Sequence, residues 1–428
     1  MNILVTGANG LVGASICARL VQEGHQVLAL VRPGTKAPFG VARTVYLEFA
    51  SATDVKPWLP VLEDVQAVVN CVGALQDSVR ENVTAAHVAA PAALFQACEQ
   101  LGIRRVVHFS AIGVDRQQPS PFSETKLRGD DVLMARDLDW VILRPSVVLG
   151  RPAFGASALM RGLAALPVLP VMPAAADLQV VQLDDVVETV VRLLEPNARR
   201  QVILELAGPR RLAFEEVVDI YRQWLGRAQA SHIRLPPAVA SLLYTLGDVA
   251  GALGWRPALR TTARREITRG ATGDPQPWSA AAGIYPRSLT EALKATPATV
   301  QERWFSNLFF LKPLMFVVLP LFWILTGIIS LTVGFDEGIT LMNRAGAGTL
   351  SAPSVIAGAF SDIVIGTMIA FRRTSRPGLW TALLLSLFYA FASTILVPAL
   401  WHDPLGPLLK IWPILVLHLV ALAILEER

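Results

Sequence analysis

Asn2-Ile3-Leu4-Val5-Thr6-Gly7-Ala8-Asn9-Gly10-Leu11-Val12-Gly13 opens the 428-residue chain. It reads as a short apolar strand running into a glycine-spaced turn and then into a helix predicted over Leu11–Glu23. Glycine at 7, 10 and 13 lets the backbone turn tightly, brings its N–H groups up to a pyrophosphate, and packs the next helix against the strand. The helix N-terminus then favours the anion. Candidate cofactor contacts in this turn are Gly7, Asn9, Gly10, Leu11, Val12 and Gly13.

Working outward, His25–Arg32 reads as a second buried strand closed by Pro33-Gly34. An acidic residue at its end would suit the 2′-hydroxyl of NAD. Arg32 stands there instead and suits the 2′-phosphate of NADP, with NAD still possible and a solvent-exposed turn arginine as the plain alternative. Strands are predicted at Val45–Phe49, Ala67–Val72, Arg105–Ser110 and Trp140–Leu143, separated by helical stretches such as Ala86–Gln100. That alternation predicts an α/β Rossmann domain, a doubly wound parallel sheet with ligand at the carboxyl ends of its strands. Asp185-Val-Val-Glu188 reads as a capping box for a helix reaching Glu195, and His108 as a packed strand residue.

Composition sets the second half apart. With 53% hydrophobic and 17% charged residues, part of the chain must lie in lipid. A net charge of +4 and no aromatic-and-basic run argue against a nucleic-acid partner. Cys17, Cys71 and Cys98 are widely spaced in apolar surroundings, which fits buried reduced thiols and no metal site. The chain starts on its first strand without room for a cleavable leader, so the N-terminal domain is expected in the cytoplasm.

Thr6-Gly7-x-x-Gly10-x-x-Gly13, the Val-Asn-x-Val72-Gly73 loop, His108-Phe-Ser-Ala-Ile-Gly113, Thr125-Lys126, Leu143-Arg-Pro-Ser146 and Gln182-Leu-Asp-Asp185 together resemble the extended and atypical short-chain dehydrogenase/reductases. The closest likeness is to the branch of the reductase-like accessory subunit of respiratory complex I. The resemblance covers about the first half of the chain. It implies that Gly7, Gly10 and Gly13 hold the pyrophosphate, that Glu48 sits near the adenine, that Val72 and Gly73 line the cofactor, and that Lys126 bonds the nicotinamide ribose. Ser110 would be the hydroxyl that polarises the substrate.

One departure matters most. Active members carry Tyr-x-x-x-Lys, in which the lysine lowers the phenol's pKa so that it exchanges a proton as hydride moves. The matching stretch here is Phe122-Ser-Glu-Thr-Lys126, and no tyrosine lies between Tyr46 and Tyr221. Either another group does this work, or the domain binds its cofactor without the usual reaction.

Residues 231–303 are expected as a connector or substrate-cap segment between a domain at 1–230 and a membrane domain at 304–428. Within it the apolar stretch Ala238–Trp255, weakened by Asp248 and three glycines, reads as an interfacial or buried helix. Leu314–Val333, Pro353–Phe371, Leu379–Leu400 and Leu408–Leu425 predict an all-α transmembrane four-helix bundle. Arg303, Lys312, Arg372, Arg373 and Arg376 place both termini in the cytoplasm by the positive-inside rule, in a cell (inner) membrane. Asp362-Ile-Val-Ile-Gly366 and Asp403-Pro-Leu-Gly-Pro-Leu-Leu-Lys410 resemble the DoxX-like membrane family, whose relatives are linked to quinone or sulfur redox chemistry. Asp362 lies near mid-span, where an ionisable group marks a functional site by default, and His418 lies at similar depth. The two could pair and relay protons to a quinone, or each could be a structural hydrogen bond. The expected partners are therefore the lipid bilayer and a hydrophobic molecule such as a quinone or lipid intermediate; protein partners are left open. The function expected is a membrane-anchored NAD(P)H-binding oxidoreductase, with a silent redox sensor or assembly scaffold as the alternative.

Overall fold

The computed structural model describes residues 1–74, 82–117, 119–173 and 175–425. They divide into two compact units, Met1–Val249 with Pro257–Asn307, and Ala250–Arg256 with Leu308–Arg428. The strands of the first unit are β1 (Asn2–Thr6), β2 (Gln26–Val31), β3 (Arg43–Tyr46), β4 (Ala67–Asn70), β5 (Arg105–Phe109), β6 (Asp139–Pro145), β7 (Val148–Leu149), β8 (Val168–Val171), β9 (Val181–Gln182), β10 (Val202–Leu206) and β11 (Ser231–Arg234). Around them run α1 (Leu11–Gln22), α2 (Ala90–Gln100), α3 (Pro121–Met134), α4 (Ala156–Ala164), α5 (Leu183–Leu193), α6 (Phe214–Trp224), α7 (Pro237–Ala252), α8 (Thr261–Arg269), α9 (Gln276–Ala282), α10 (Leu289–Ala295) and α11 (Val300–Leu308).

Seven strands form one sheet in the order β10-β6-β5-β4-β1-β2-β3, every pair parallel. The expected doubly wound fold is therefore present, and its order reverses between β1 and β4, where such sheets take their ligand. Side-chain alternation splits the core. Ile3 and Val5 face α1, α5 and the fully buried Trp278, while Leu4 faces α2 and Trp58. Burying a side chain of this size contributes about 1.5–3 kcal/mol.

Three local readings need correction. The third strand ends at Tyr46 rather than Phe49, because Phe49 turns inward in a 3-10 turn (Phe49–Ser51) to pack edge-on against Trp58, 5.5 Å between ring centroids. The helix expected from Ala86 begins as a π turn over Ala85–Ala89, since Pro91 has no N–H to offer the carbonyl of His87. Asp185 does not cap a helix: α5 starts two residues earlier with Gln182 at its cap, and Asp185 accepts bonds from Arg287 N (3.0 Å) and Nε (2.9 Å). Glu188 pairs with Arg19 at 3.0 Å and with Arg192 at 3.1 Å. The capping box is at Ser288 and Glu291, opening α10.

Much of the segment expected as a connector folds back onto the sheet. Trp278 donates its indole N–H to Thr189 Oγ1 at 2.9 Å, and Ala271 O accepts from Gln179 N at 2.8 Å.

The second unit contains α12 (Leu311–Leu331), α13 (Phe335–Arg344), α14 (Ser351–Ala370), α15 (Ser375–Leu396) and α16 (Pro407–Ile424). Four of these, all but α13, are long and apolar enough to cross a membrane. Most of each span is uncovered by protein, with Phe360, Phe388, Phe391 and Val416 among its exposed side chains. Small residues let α12 and α14 approach closely. A methyl group on Gly327 would overlap the Ala359 carbonyl, and one on Gly366 would lie 2.7 Å from Pro320 O.

Candidate functional site

At the carboxyl end of β1 the chain turns through Gly7, whose φ of +64° strains any side chain and whose absent Cβ leaves room for the Cys71 backbone 3.0 Å away. Gly10 N donates to Gly7 O at 2.9 Å and caps α1 without a side-chain bond. The first-turn N–H groups of Leu11, Val12 and Gly13 are then the ones an anion would take. A methyl group on Gly13 would overlap the Gly7 carbonyl, so its role is close packing of α1 on β1. Asn9 Nδ2 donates to Thr35 Oγ1 at 2.9 Å, which itself donates to Arg32 O at 2.7 Å, tying the turn to the end of β2.

Arg32 and Glu48, from the ends of β2 and β3, come together with Nε and Oε1 3.8 Å apart, both near 44% exposed. Sequence reasoning gave the two residues separate tasks. Their pairing places an acid beside the cation that a 2′-phosphate would use.

Across the switch point, Lys126 on α3 is buried and donates to Val72 O (3.0 Å) and Phe109 O (2.7 Å), with Gly73 against its ammonium. An ammonium has three donors, so one remains for a ribose hydroxyl. Burial pushes the Lys126 pKa down to about 8, against the opposing pull of Asp130. Because the cation is what would hold the ribose, cofactor affinity should weaken as pH rises through about 8. Calorimetric titration at pH 6.5 to 9.5 checks this; Lys126→Met should bind weakly at every pH, and an equal slope in both proteins would exclude Lys126 as its source.

Beneath this lysine lies a polar network that the sequence reading missed. Ser110 Oγ donates to Asp130 Oδ2 at 2.9 Å, and Arg144 reaches the same oxygen with Nε (3.1 Å) and Nη2 (3.0 Å). Asp130 is fully buried. Burial raises its pKa, opposed by the charge of Arg144 and the Ser110 bond. Thr6 Oγ1 donates to Asn70 Oδ1 at 2.6 Å, and Asn70 Nδ2 sits 3.0 Å from His108 Nδ1. That amide donor assigns the His108 proton to Nε2, which faces Asp130 Oδ1 at 3.7 Å without bonding it. Burial, and then the charge of Lys126, hold His108 well below the usual range, so this contact is not an ion pair. The only clue in sequence was Asp130 one helical turn beyond Lys126.

Phe122 occupies the first turn of α3, and its ring lies edge-on to His87 at 5.6 Å. His87 accepts from Ala74 N at 3.1 Å and lies 2.9 Å from Thr125 Oγ1; burial, with Lys126 nearby, pushes its pKa down to about 2. A neutral imidazole with both nitrogens engaged does not replace a phenol. Ser123, next to Phe122, bonds Glu266 (3.1 Å) and Arg269 of α8, and Arg269 Nη2 donates to Gly113 O at 2.7 Å, so α8 forms the wall beside this turn. Cys71 is half-buried, and desolvation of its thiol pushes its pKa well above the usual thiol range, which leaves it an unreactive thiol. Among the described residues no group of His, Cys, Asp and Glu could hold a metal ion.

In the second unit Asp362 and His418 do not meet. Asp362 Oδ1 accepts from Tyr389 on α15 at 3.4 Å; His418 Nε2 accepts from Trp323 on α12 at 3.0 Å while Nδ1 lies 2.7 Å from Ile414 O. Similar depth did not bring them together, because α14 neighbours α12 and α15 whereas α16 sits diagonally across, against α15 and α12.

A glycine turn at a β1–β4 switch point with a buried lysine beside it defines a dinucleotide-binding domain of the Rossmann class. Residues 7–165 match the NAD(P)H-binding family model and residues 320–419 the DoxX-like family. The chain thus joins an NAD(P)H-binding, short-chain dehydrogenase/reductase-like domain to a C-terminal DoxX-like domain. An uncharacterized protein of Mycobacterium tuberculosis is 28% identical over 51% of this chain, which spans only 23% of that protein's length. The photosystem II assembly factor Ycf39 of Synechocystis is 22% identical, covering 56% of this chain and 72% of the factor. Sterol demethylase protein B of Methylococcus capsulatus is 28% identical over 35% of this chain and 52% of its own. Among solved structures, the Bordetella bronchiseptica enzyme WbmG with NAD (TM-score 0.55, 16% identity, 72% of this chain and 96% of that one) and MoeE5 with UDP-glucuronic acid and NAD (0.52, 21%, 69% and 97%) share the fold.

Proposed function

We propose that the protein is a membrane-anchored NAD(P)H-dependent oxidoreductase whose acceptor is a lipid-soluble molecule such as a quinone. The observation that carries this reading is the pairing of an intact cofactor grip, Gly7 to Gly13 with Lys126, with Phe122 where a carbonyl reductase needs a phenol. A quinone takes hydride and can draw its proton from water, so it tolerates that loss; a simple ketone does not. Fusion to four apolar spans supplies the lipid-soluble substrate's medium. The test is NAD(P)H oxidation by the full chain in lipid, with and without added quinones. Quinone-dependent oxidation supports the reading, and cofactor binding without oxidation by any quinone favours the second one. That second reading is a silent sensor or assembly scaffold, favoured by the likeness to an assembly factor over most of the factor's length.

For the cofactor we propose NADP, held at its 2′-phosphate by Arg32 through a charge-assisted contact. Arg32→Ala should weaken NADPH much more than NADH. Glu48→Gln should do the reverse by removing the neighbouring acid 3.8 Å away. Equal loss for both cofactors in Arg32→Ala would leave Arg32 an ordinary surface residue.

For orientation we propose that the Arg372, Arg373 and Arg376 loop and both termini face the cytoplasm in an inner membrane. Cysteines placed at Glu337 and Asp403 should label from outside intact cells, and one at Arg373 should not. Labelling at Arg373 alone would invert the topology.

A further inference from the structure

Helix α7 carries two apolar faces. Ala240, Tyr244 and Gly247, with Gly251 one turn on, form its buried face; a methyl group on Gly247 would overlap the Leu259 carbonyl, and the Arg264 guanidinium lies 5.9 Å from the Tyr244 ring. A second set, Val239, Leu242, Leu243, Leu246 and Val249, is 37% to 57% exposed. At 3.6 residues per turn these five fall in a stripe about 120° wide, turned away from the packed face. Five large aliphatic side chains in one stripe exceed the scattered exposure of an ordinary surface.

Chain continuity says what covers it. The helix continues from Val249 to its end at Ala252, and a turn then leads on to Arg256; the stretch Ala250–Arg256 packs within the second unit. There Arg372 N donates to Leu253 O at 3.0 Å, and the Trp255 indole N–H donates at 2.8 Å to Ala370 O, the last residue of span α14. Its ring lies 4.6 Å from Phe316, near the start of span α12, with the Arg372 guanidinium 5.7 Å from it. Trp255 and Arg372 thus mark the level at which spans end, the depth where tryptophan and arginine favour the headgroup region. Exposed Arg256 and Arg265 add cationic charge that suits phosphate headgroups. The helix does not itself cross: at 16 residues it is too short, and Asp248 pairs with Arg260 at 3.3 Å.

We propose that the Val239–Val249 stripe of α7 lies in the headgroup–acyl boundary of the bilayer that the four spans cross, making α7 an in-plane amphipathic anchor of the cofactor-binding domain. This rests on the membrane reading of the spans and is independent of the redox reading, so loss of either leaves the other standing.

The test uses the full chain in vesicles of phosphatidylcholine and phosphatidylglycerol, with Leu246→Cys carrying an environment-sensitive fluorophore; labelling of the unsubstituted chain sets the background. Leu246 is exposed, so the change leaves the core intact. Nitroxide lipids labelled near the headgroup should remove most of the emission, while aqueous iodide leaves it unchanged. Ser241→Cys, on the polar side of the same helix, should show the opposite pattern, so that the two positions together report one wet and one lipid-facing side of a folded helix. Iodide quenching at 246 would overturn the proposal. So would stronger quenching by nitroxides deep in the acyl chain, which marks a span, or protection from both quenchers, which marks a covering protein.

Discussion

With NADPH bound, the wild-type protein should reduce simple ketones about 10²–10⁴-fold more slowly than an enzyme with a phenol at position 122, the usual worth of general acid assistance. Phe122 stands one helical turn before Lys126, which is where a phenol would need to be for the lysine to depress its pKa. Its neighbours offer no substitute. Both His87 nitrogens are engaged, Thr125 donates to Pro121 O at 2.8 Å, and Ser123 is held by Glu266 and Arg269 of α8. Phe122→Tyr should leave cofactor affinity unchanged, because the glycine turn and Lys126 act on phosphates and ribose. The variant should gain carbonyl reduction if the rest of the site still orients a substrate. That gain, without quinone turnover in the wild type, would identify a silenced dehydrogenase. Ketone reduction by the wild type at a full rate would mean that Phe122 does not occupy the proton donor's place.

The sequence made the glycine turn, the alternation of strands and helices and the four spans readable because each is a local pattern: glycine spacing, period-two or helical burial, and unbroken apolar length. What it hid was contact between distant segments. Nothing local places Asp130 against both Ser110 and Arg144, or Trp278 on Thr189, because those meetings are decided by strand order. The Asp362–His418 pairing failed for the same reason: depth is legible from position along a helix, whereas helix order around the bundle is not. Ser110 illustrates the consequence for function. The resemblance offers its hydroxyl to a substrate, yet the structure finds it buried and donating to Asp130.

Asp130→Ala should be the most destabilising single change in the cofactor-binding unit outside its apolar core. It strips the buried Arg144 guanidinium of its partner at 3.0 Å and leaves the Ser110 hydroxyl without an acceptor, a loss of about 3–5 kcal/mol for a broken buried pair. Among the described residues, Arg144 keeps only Asp115 as an acidic partner, at 2.7 Å and half exposed. Denaturant unfolding of the full chain in lipid, followed by the change in tryptophan emission to which the buried Trp58 and Trp278 contribute, reads the change. Asp130→Asn should cost less, about 1–3 kcal/mol, because one amide oxygen still accepts from Ser110 and Arg144 while the amide N–H₂ is turned toward the His108 Nε2–H with nothing to donate to. Asp130→Leu with Arg144→Met should recover most of the loss, since a desolvated pair replaced by apolar groups is often neutral. An Asp130→Ala protein as stable as the wild type would show the network to be energetically idle. The same carboxylate also raises the pKa of Lys126 against its burial. In Asp130→Asn the pH at which cofactor affinity falls should therefore move below about 8, so that a residue touching no part of the cofactor sets the pH at which the cofactor is held.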